Sequence, residues 1–277
     1  MLQPGQVGRL LFLAWFVLTL AWTGSASGAA RILAIGDFGV GGTRERDMGA
    51  AVQTWESAHP ADVLVTLGDN DYTASPSAFH TNWTASFGWL AGAGVGVMGT
   101  LGNHDVEVNG GAYEFDELNM PRARYRRVVG NVEIVVLDSN RVNAAQTSWL
   151  RHALRSSTAR WRVVVFHHPA FTCGGYRANP AVRRGWVPVF ERLGVDLVLN
   201  GHDHNYQRFA ARRGVHYVVH GGGGQHLYPI EPCPDGYPAR RFARAAHGFL
   251  SIVADTDTLR VRAVSPGLHV IDRAIYR

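Results

Sequence analysis

Short apolar runs separated by amphipathic segments fill the first two thirds of the 277-residue chain. Each run is rich in Val, Ile and Leu and ends in a Gly or a polar residue, which is typical of strands that are buried on both faces. The runs lie at 31–36 (RILAIG), 62–68 (DVLVTLG), 94–102 (GVGVMGTLG), 132–138 (VEIVVLD), 161–167 (WRVVVFH) and 195–201 (VDLVLNG). The helix candidates between them lie around 44–58, 76–91, 145–156 and 180–193. This alternation predicts an α/β fold.

The last third of the chain has a different pattern. Its segments VHYVVHGG and GFLSIVADTDTLRVRAVSPGLHVIDRAIYR alternate apolar and polar residues, and Gly, Asp-Thr-Asp and Pro-Gly punctuate them. Alternation with a period of two favours antiparallel strands that are joined by turns. We expect these strands to close a second sheet within the same domain, because the chain shows neither an internal repeat nor a linker.

The N-terminal segment has the pattern of a secretory signal peptide. Arg9 precedes the apolar run LLFLAWFVLTLAW, and the small-residue stretch TGSASGAA follows it. We expect cleavage after Gly28 or Ala30, which assigns residues 1–30 to the signal peptide and residues 31–277 to one secreted or extracytoplasmic domain without stable membrane insertion. The alternative is an uncleaved anchor, but the apolar run is shorter than the roughly 20 residues that a membrane-spanning helix needs.

Export also affects how the two cysteines are interpreted. In an oxidising compartment Cys173 and Cys233 could form one disulfide. The alternative is a pair of free, buried thiols, and the sequence does not decide between the two.

The chain is basic, because its formal net charge is +5, and Arg occupies all 27 of its Lys or Arg positions. A basic chain suggests an anionic ligand. The absence of Lys resembles a general composition bias, and the Arg runs at 122–127 and 239–244 are interspersed with core-type residues. A nucleic-acid partner is therefore not favoured.

Polar side chains recur where the predicted strands end. Because open α/β sheets place ligands and catalytic groups at the carboxyl ends of their strands, we expect these side chains to converge on one face. Carboxylate, phenol, amide and imidazole groups are ligands of Fe, Mn and Zn, and a carboxylate such as Asp69 can bridge two ions. The polar residues are Asp37, Asp69, Tyr72, Asn103, His104, Asp105, His167, His168, His202 and His204.

The order of these motifs resembles that of the calcineurin-like metallophosphoesterases. The motifs are Asp, Gly-Asp, Gly-Asn-His-Asp, His and Gly-His-x-His, and the resemblance extends from Asp37 to the C-terminal strands. Asp37-Phe38-Gly39 followed by Gly68-Asp69-x-x-Tyr72 resembles the purple acid phosphatase branch, in its small, single-domain, tartrate-resistant form. The resemblance implies a four-layer αββα sandwich of two mixed β-sheets flanked by helices.

The resemblance also implies two metal ions. One ion would be bound by Asp37, Tyr72, His204 and the bridging Asp69, and the other by Asp69, Asn103, His167 and His202. A phenolate is a hard anionic ligand that favours a trivalent ion, so the expected pair is Fe(III) with a divalent ion such as Fe, Mn or Zn. The alternative for Tyr72 is a ring that only faces solvent beside the site.

Catalytic roles follow from the same resemblance. His104 would contact the substrate, and Asp105 would orient His104. The further histidine that is usual in this branch is missing, and either His168 or Tyr176 could serve instead. The expected reaction is hydrolysis of a small-molecule phosphate monoester, by in-line attack of a metal-bound hydroxide under acid conditions. The alternatives are a phosphodiesterase or nuclease that uses two divalent ions and, from another class, a non-catalytic phosphate-binding protein.

Overall fold

The apolar runs form the strands of two β-sheets in the computed structural model, which describes residues 28–277. The strands of the described part are β1 (Ala30–Ile35), β2 (Val63–Thr66), β3 (Gly96–Met98), β4 (Tyr125–Val129), β5 (Val132–Val136), β6 (Trp161–Val165), β7 (Leu197–Asn200), β8 (Tyr206–Phe209), β9 (His216–His220), β10 (Arg240–Arg244), β11 (Phe249–Ala254), β12 (Leu259–Val264) and β13 (Val270–Tyr276). The helices are α1 (Gly42–Ala58), α2 (Pro76–Phe87), α3 (Trp89–Ala93), α4 (Ala112–Glu117), α5 (Ala144–Arg155), α6 (Pro180–Gly185) and α7 (Val187–Leu193), with a 3-10 turn at Asn109–Gly111.

Both sheets are mixed. The first has the strand order β13-β12-β11-β1-β2-β3, and the second has the order β10-β8-β9-β7-β6-β5-β4. Strands β1, β2 and β3 are parallel to one another, as are β5, β6, β7 and β9. The carboxyl ends of the parallel strands in each sheet therefore lie along one edge, where the polar motifs follow.

Alternate residues of β5 show how the layers pack. Ile134 belongs to a core that it shares with residues of the first sheet such as Leu33. Its neighbour Val135 belongs to a second core, which contains the helix residues Leu150 and Trp186. Because successive side chains of a strand point to opposite faces, one face of β5 meets the other sheet and the opposite face meets helices. The predicted αββα sandwich is confirmed.

Strands β11, β12 and β13 are antiparallel, as predicted, but they do not belong to the second sheet. Strand β9, which was also expected to be antiparallel, is antiparallel only to β8 and is parallel to its other neighbour, β7. Strand β11 pairs with β1, with Ala30 opposite Ala254, so β11, β12 and β13 extend the first sheet. The second sheet is completed by β8, β9 and β10 on one side and by β4 on the other. A period of two identifies a strand, but it carries no information about the sheet edge that the strand joins.

Two of the predicted helices are each divided in the structure. The segment 76–91 forms α2 and α3, which meet at Gly88, and the segment 180–193 forms α6 and α7, which meet at Trp186. Gly has low helix propensity, and Pro188 lacks the N–H group that a continuous helix would need. The side chain of Asn143 accepts the Gln146 N–H at 2.9 Å and thereby caps α5.

The predictions of a signal peptide and of a domain without stable membrane insertion concern the N-terminal segment and the helices. Most of the predicted signal peptide, residues 1–27, lies outside the described residues. In residues 28–277 no helix combines the length and the apolar character that crossing a membrane requires.

Cys173, after β6, is joined to Cys233, before β10, in a disulfide that spans 60 residues of sequence. The disulfide was one of the two alternatives for these cysteines, and the structure contains it.

We expect His220 in β9 to make the protein less stable in acid. The ring is fully buried, its Nε2 has no hydrogen-bond partner in residues 28–277, and burial lowers its pKa to about 4. An unfolded histidine has a pKa of about 6.5, so between the two values the unfolded chain binds more protons and stability falls as the pH falls. The loss from pH 7 to pH 5 is about 2 kcal/mol for this group.

Urea unfolding at the two pH values measures this loss. His220→Gln, which does not titrate, should show a smaller fall in the free energy of unfolding than the wild type. The same fall in both proteins would contradict the assignment.

Candidate metal centre

Three of the residues that follow strands have an uncommon backbone conformation. Asp37 after β1, Asp69 after β2 and His202 after β7 have φ angles of 58°, 52° and 70°. Positive φ is unfavourable for residues other than Gly and is found preferentially at functional sites, where the surrounding structure maintains it. The side chains of Asp37 and Asp69 lie together beside His167, and the His202 ring contacts His167, so the strain coincides with the predicted site.

Two glycines allow the motif loops to approach one another. A Cβ on Gly39 would lie 1.8 Å from the Asn70 carbonyl oxygen, and a Cβ on Gly68 would lie 2.6 Å from Nδ1 of His167. Gly68 also has a φ of +91°. Both positions therefore need Gly, which explains the glycines of the first two motifs in physical terms.

Four donor atoms form the first half of the site. The Tyr72 hydroxyl lies 3.1 Å from Oδ2 of Asp69, 3.4 Å from Oδ1 of Asp37 and 3.3 Å from Nε2 of His204. Nε2 of His204 lies 3.3 Å from Oδ1 of Asp37. These are the four residues that the resemblance assigns to the first ion.

The second half of the site shares one atom with the first. Nε2 of His167 lies 3.3 Å from Oδ2 of Asp69, 3.2 Å from Oδ1 of Asn103 and 3.2 Å from Nδ1 of His202. The same carboxylate oxygen of Asp69 thus belongs to both groups. It is the atom that would bridge two ions if both halves were occupied.

The spacing of these atoms suits bound cations. Donor atoms that bind one ion at about 2.1 Å lie about 3.0 Å apart in octahedral geometry and about 3.4 Å apart in tetrahedral geometry. The measured contacts fall within or close to that interval, between 3.1 and 3.4 Å. Two buried carboxylates, Asp37 and Asp69, also lie together with His167, with ligand atoms within 4.8 Å of one another. The residues of the site therefore fit two metal ions.

Hydrogen bonds fix the tautomers of two histidines. Nδ1 of His167 lies 2.9 Å from the Leu67 carbonyl oxygen, and Nδ1 of His204 lies 2.8 Å from the His226 carbonyl oxygen. A carbonyl oxygen can only accept, so each Nδ1 carries a proton, and Nε2 is the nitrogen that faces the site and would bind an ion. This is the arrangement that a metal-binding histidine requires.

The electrostatic environment favours cations in the same place. Burial, followed by the charges of Asp37 and Asp69, raises the pKa of Tyr72 well above its ordinary value. Burial, followed by the charge of His167, lowers the pKa of His202 to about 2. A phenolate at Tyr72 therefore needs an adjacent cation, and His202 is held in the neutral form that binds metal.

His104 and Asp105 are adjacent in sequence but serve different parts of the site. The His104 ring lies beside that of Tyr72, with centroids 4.6 Å apart, and its Nδ1 faces Oε1 of Glu107 at 3.1 Å. The buried Asp105 carboxylate instead accepts hydrogen bonds from the backbone N–H groups of Asn70, Asp71 and Gly102 and from the Asn70 side chain. The expectation that Asp105 orients His104 is therefore corrected: Asp105 holds the loop that carries Asp69 and Tyr72.

His168 and Tyr176, the two alternatives for the missing histidine, occupy different places. Nδ1 of His168 lies 2.9 Å from the Ser139 hydroxyl, and burial, followed by the charge of His167, lowers its pKa to about 3. Its ring lies beside that of His202, with centroids 4.5 Å apart. The Tyr176 ring also contacts the His202 ring, with centroids 4.1 Å apart, but it is 40% exposed.

Tyr228, which packs on His204, was not among the predicted site residues. The disulfide between Cys173 and Cys233 joins its loop to the segment that carries Tyr176.

Comparison with known proteins identifies the family. Residues 30–206 match the family described as calcineurin-like phosphoesterase. The chain belongs to the calcineurin-like phosphoesterase family. The matched region contains all seven residues of the two donor groups, from Asp37 to His204. The family predicted from the motifs is confirmed, and together with the relatives described next it supports a metal-dependent hydrolase of the phosphatase class.

Relatives with the names of one branch are among the similar proteins. Purple acid phosphatase 3 of Arabidopsis thaliana is 26% identical in an alignment that covers 84% of this chain and 74% of that protein. Tartrate-resistant acid phosphatase type 5 of Oryctolagus cuniculus is 25% identical in an alignment that covers 82% of this chain and 84% of that protein.

A solved structure supports the fold. The purple acid phosphatase PPD1 from seeds of yellow lupin, Lupinus luteus, superimposes with a TM-score of 0.77 at 17% identity. The superposition covers 90% of this chain and 54% of the lupin chain, so this chain spans about half the length of that structure. At this identity the similarity establishes the fold alone.

Proposed function

We propose that the chain is an acid phosphomonoesterase with Fe(III) bound at Tyr72 and a divalent ion, Fe, Mn or Zn, bound at Asn103. The observation that supports this most directly is the position of the Tyr72 hydroxyl, within 3.4 Å of donor atoms of Asp37, Asp69 and His204. A hard phenolate among two carboxylates favours a trivalent ion over a divalent one. The alternative, a Tyr72 ring that only faces solvent, is disfavoured by these contacts.

The side chains of the site would have different roles in hydrolysis. When bound, the two ions would neutralise charge on the phosphate and lower the pKa of water, which allows chemistry at acid pH. Asp69 would hold both ions at a fixed separation. His104 borders the open side of the site and its Nδ1 faces Glu107, so Nε2 is available to contact the phosphate and to give a proton to the departing alcohol.

We also propose that residues 1–30 are a signal peptide and that residues 31–277 form a secreted or extracytoplasmic domain. The proposal is supported by the apolar run after Arg9 and by the disulfide between Cys173 and Cys233. Disulfides persist mainly in oxidising compartments.

Comparing monoester and diester hydrolysis tests the proposed reaction. For protein loaded with iron, we expect kcat/KM for 4-nitrophenyl phosphate to exceed that for bis(4-nitrophenyl) phosphate by at least about tenfold, or about 1.4 kcal/mol. The preference should be larger at pH 5 than at pH 8, and removal of metal with a chelator should abolish both activities. A preference for the diester with two divalent ions would indicate a phosphodiesterase or nuclease. A loaded protein that hydrolyses neither ester would indicate a non-catalytic phosphate-binding protein.

A further inference from the structure

Two tyrosines cover the two histidines that follow β7. The ring of Tyr176 stacks on that of His202, with centroids 4.1 Å apart and planes inclined by 26°. The ring of Tyr228 stacks on that of His204, with centroids 4.4 Å apart and planes inclined by 13°. His202 and His204 belong to different halves of the metal centre, so each half has a phenol against its histidine.

The two phenols also contact each other. Their rings are nearly perpendicular, at 85°, with centroids 5.2 Å apart, and their hydroxyl oxygens are 3.4 Å apart. Tyr228 is closely confined, because a Cβ on Gly175 would lie 2.7 Å from its ring. Tyr176 is 40% exposed. Tyr228 thus supports the pair, and Tyr176 offers aromatic surface at the edge of the site.

The loops that carry the two tyrosines are held together. The disulfide joins Cys173 to Cys233, and the Glu231 N–H donates to the Cys173 carbonyl oxygen at 2.9 Å. The buried Asp203 carboxylate accepts the Gly175 N–H at 3.1 Å and also bonds the Thr172 hydroxyl. Asp203 lies between the two histidines in sequence, so one turn fixes both the histidines and the loop above them. Tyr176 therefore has a defined position beside the metal centre.

We propose that Tyr176 determines specificity for the group that leaves with the ester oxygen. Aromatic rings attract one another in offset-stacked and edge-to-face arrangements, so an exposed ring beside the site favours an aromatic leaving group over an aliphatic one. Since the Tyr176 hydroxyl already faces that of Tyr228, the ring rather than the hydroxyl makes this contact. The hydrolytic consequence rests on the proposed phosphomonoesterase function, whereas the binding preference can be measured without it.

Binding of two phosphonates tests the inference directly. Phenylphosphonate and methylphosphonate carry the same anionic head and are not hydrolysed, and calorimetry on the metal-loaded protein gives both dissociation constants. We expect phenylphosphonate to bind more tightly to the wild type. Tyr176→Leu should weaken the binding of phenylphosphonate by about 3- to 10-fold and leave the binding of methylphosphonate unchanged. Tyr176→Phe, which keeps the ring, should retain the preference.

Tyr237→Leu is a matched control. Tyr237 is also in a loop near the disulfide, but it packs on Phe171 and Arg183 rather than on a histidine of the site, so its removal should leave the ratio of the two affinities unchanged. Equal affinities of the two phosphonates for the wild type would overturn the inference. The inference would also be overturned if Tyr176→Leu lost affinity for both phosphonates equally. The same holds if Tyr176→Phe lost the preference for phenylphosphonate as Tyr176→Leu does.

Hydrolysis gives an independent readout. For Tyr176→Leu, KM should rise about 3- to 10-fold for phenyl phosphate and remain constant for ethyl phosphate, because a contact made equally in ground and transition states acts on KM. A KM for phenyl phosphate that does not change would count against the inference. A wild type that binds phenylphosphonate preferentially but hydrolyses neither ester would refute the proposed function and leave the binding inference standing.

Discussion

The variant Asp69→Asn is expected to lose both metal binding and activity. Oδ2 of Asp69 contacts the Tyr72 hydroxyl in one half of the site and His167 in the other, so an amide at this position removes the shared anionic ligand. Charge stabilisation by metal ions contributes several kcal/mol to phosphate ester hydrolysis, so we expect kcat to fall by about a thousandfold or more. Metal content measured by plasma emission should fall below two ions per chain.

Asp71→Asn is the matched control for this prediction. Asp71 lies in the same loop and is buried, but it bonds Thr73 and Tyr113 and none of the proposed ligands. The control should keep two ions and most of the activity. Circular dichroism should show both variants folded. If Asp69→Asn kept two ions and wild-type kcat, the assignment of a bridging carboxylate would be wrong.

Removing the disulfide is expected to have the largest effect on stability. Cys173 and Cys233 are 60 residues apart, and closure of a loop of that length reduces the entropy of the unfolded chain. The double variant Cys173→Ala/Cys233→Ala should therefore lose about 4 kcal/mol of unfolding free energy. Urea unfolding of the metal-free proteins measures the difference without a contribution from metal binding.

Reduction of the wild type provides the control. Dithiothreitol should shift the unfolding midpoint of the wild type towards that of the double variant and should leave the double variant unchanged. A wild type whose midpoint is insensitive to the reductant would show that the disulfide contributes little.

The residues that meet at the candidate site could be predicted from the sequence because strand geometry constrains their positions. Asp37, Asp69 and His167 follow buried strands, and the carboxyl ends of parallel strands meet at one edge of each sheet. That the carboxyl-end edges of the two sheets lie next to each other was implied only by the resemblance to a known family. The strained φ angles of Asp37 and Asp69 were not predictable, since the sequence marks the glycines beside them and not the residues themselves.

Other features depend on tertiary contacts that no local pattern encodes. Asp105 follows His104 in sequence, yet its carboxylate turns inward to the backbone of Asn70, because neighbouring residues in a turn can face opposite directions. Tyr228 reaches the site through a loop without regular structure, held by a disulfide and by hydrogen bonds from distant residues. The sheet that β11 joins is likewise decided by packing, since alternation of apolar and polar residues is compatible with either sheet.

The visible absorption spectrum of the purified protein, recorded with its metal content beside that of Tyr72→Phe, tests the Fe(III) site most directly. We expect a purple band from a tyrosinate bound to Fe(III) in the wild type. In Tyr72→Phe, which lacks only the hydroxyl, the band should be absent and activity should fall. A colourless wild type with two Mn or Zn ions, and a Tyr72→Phe variant of unchanged activity, would contradict the Fe(III) site and favour a divalent phosphodiesterase.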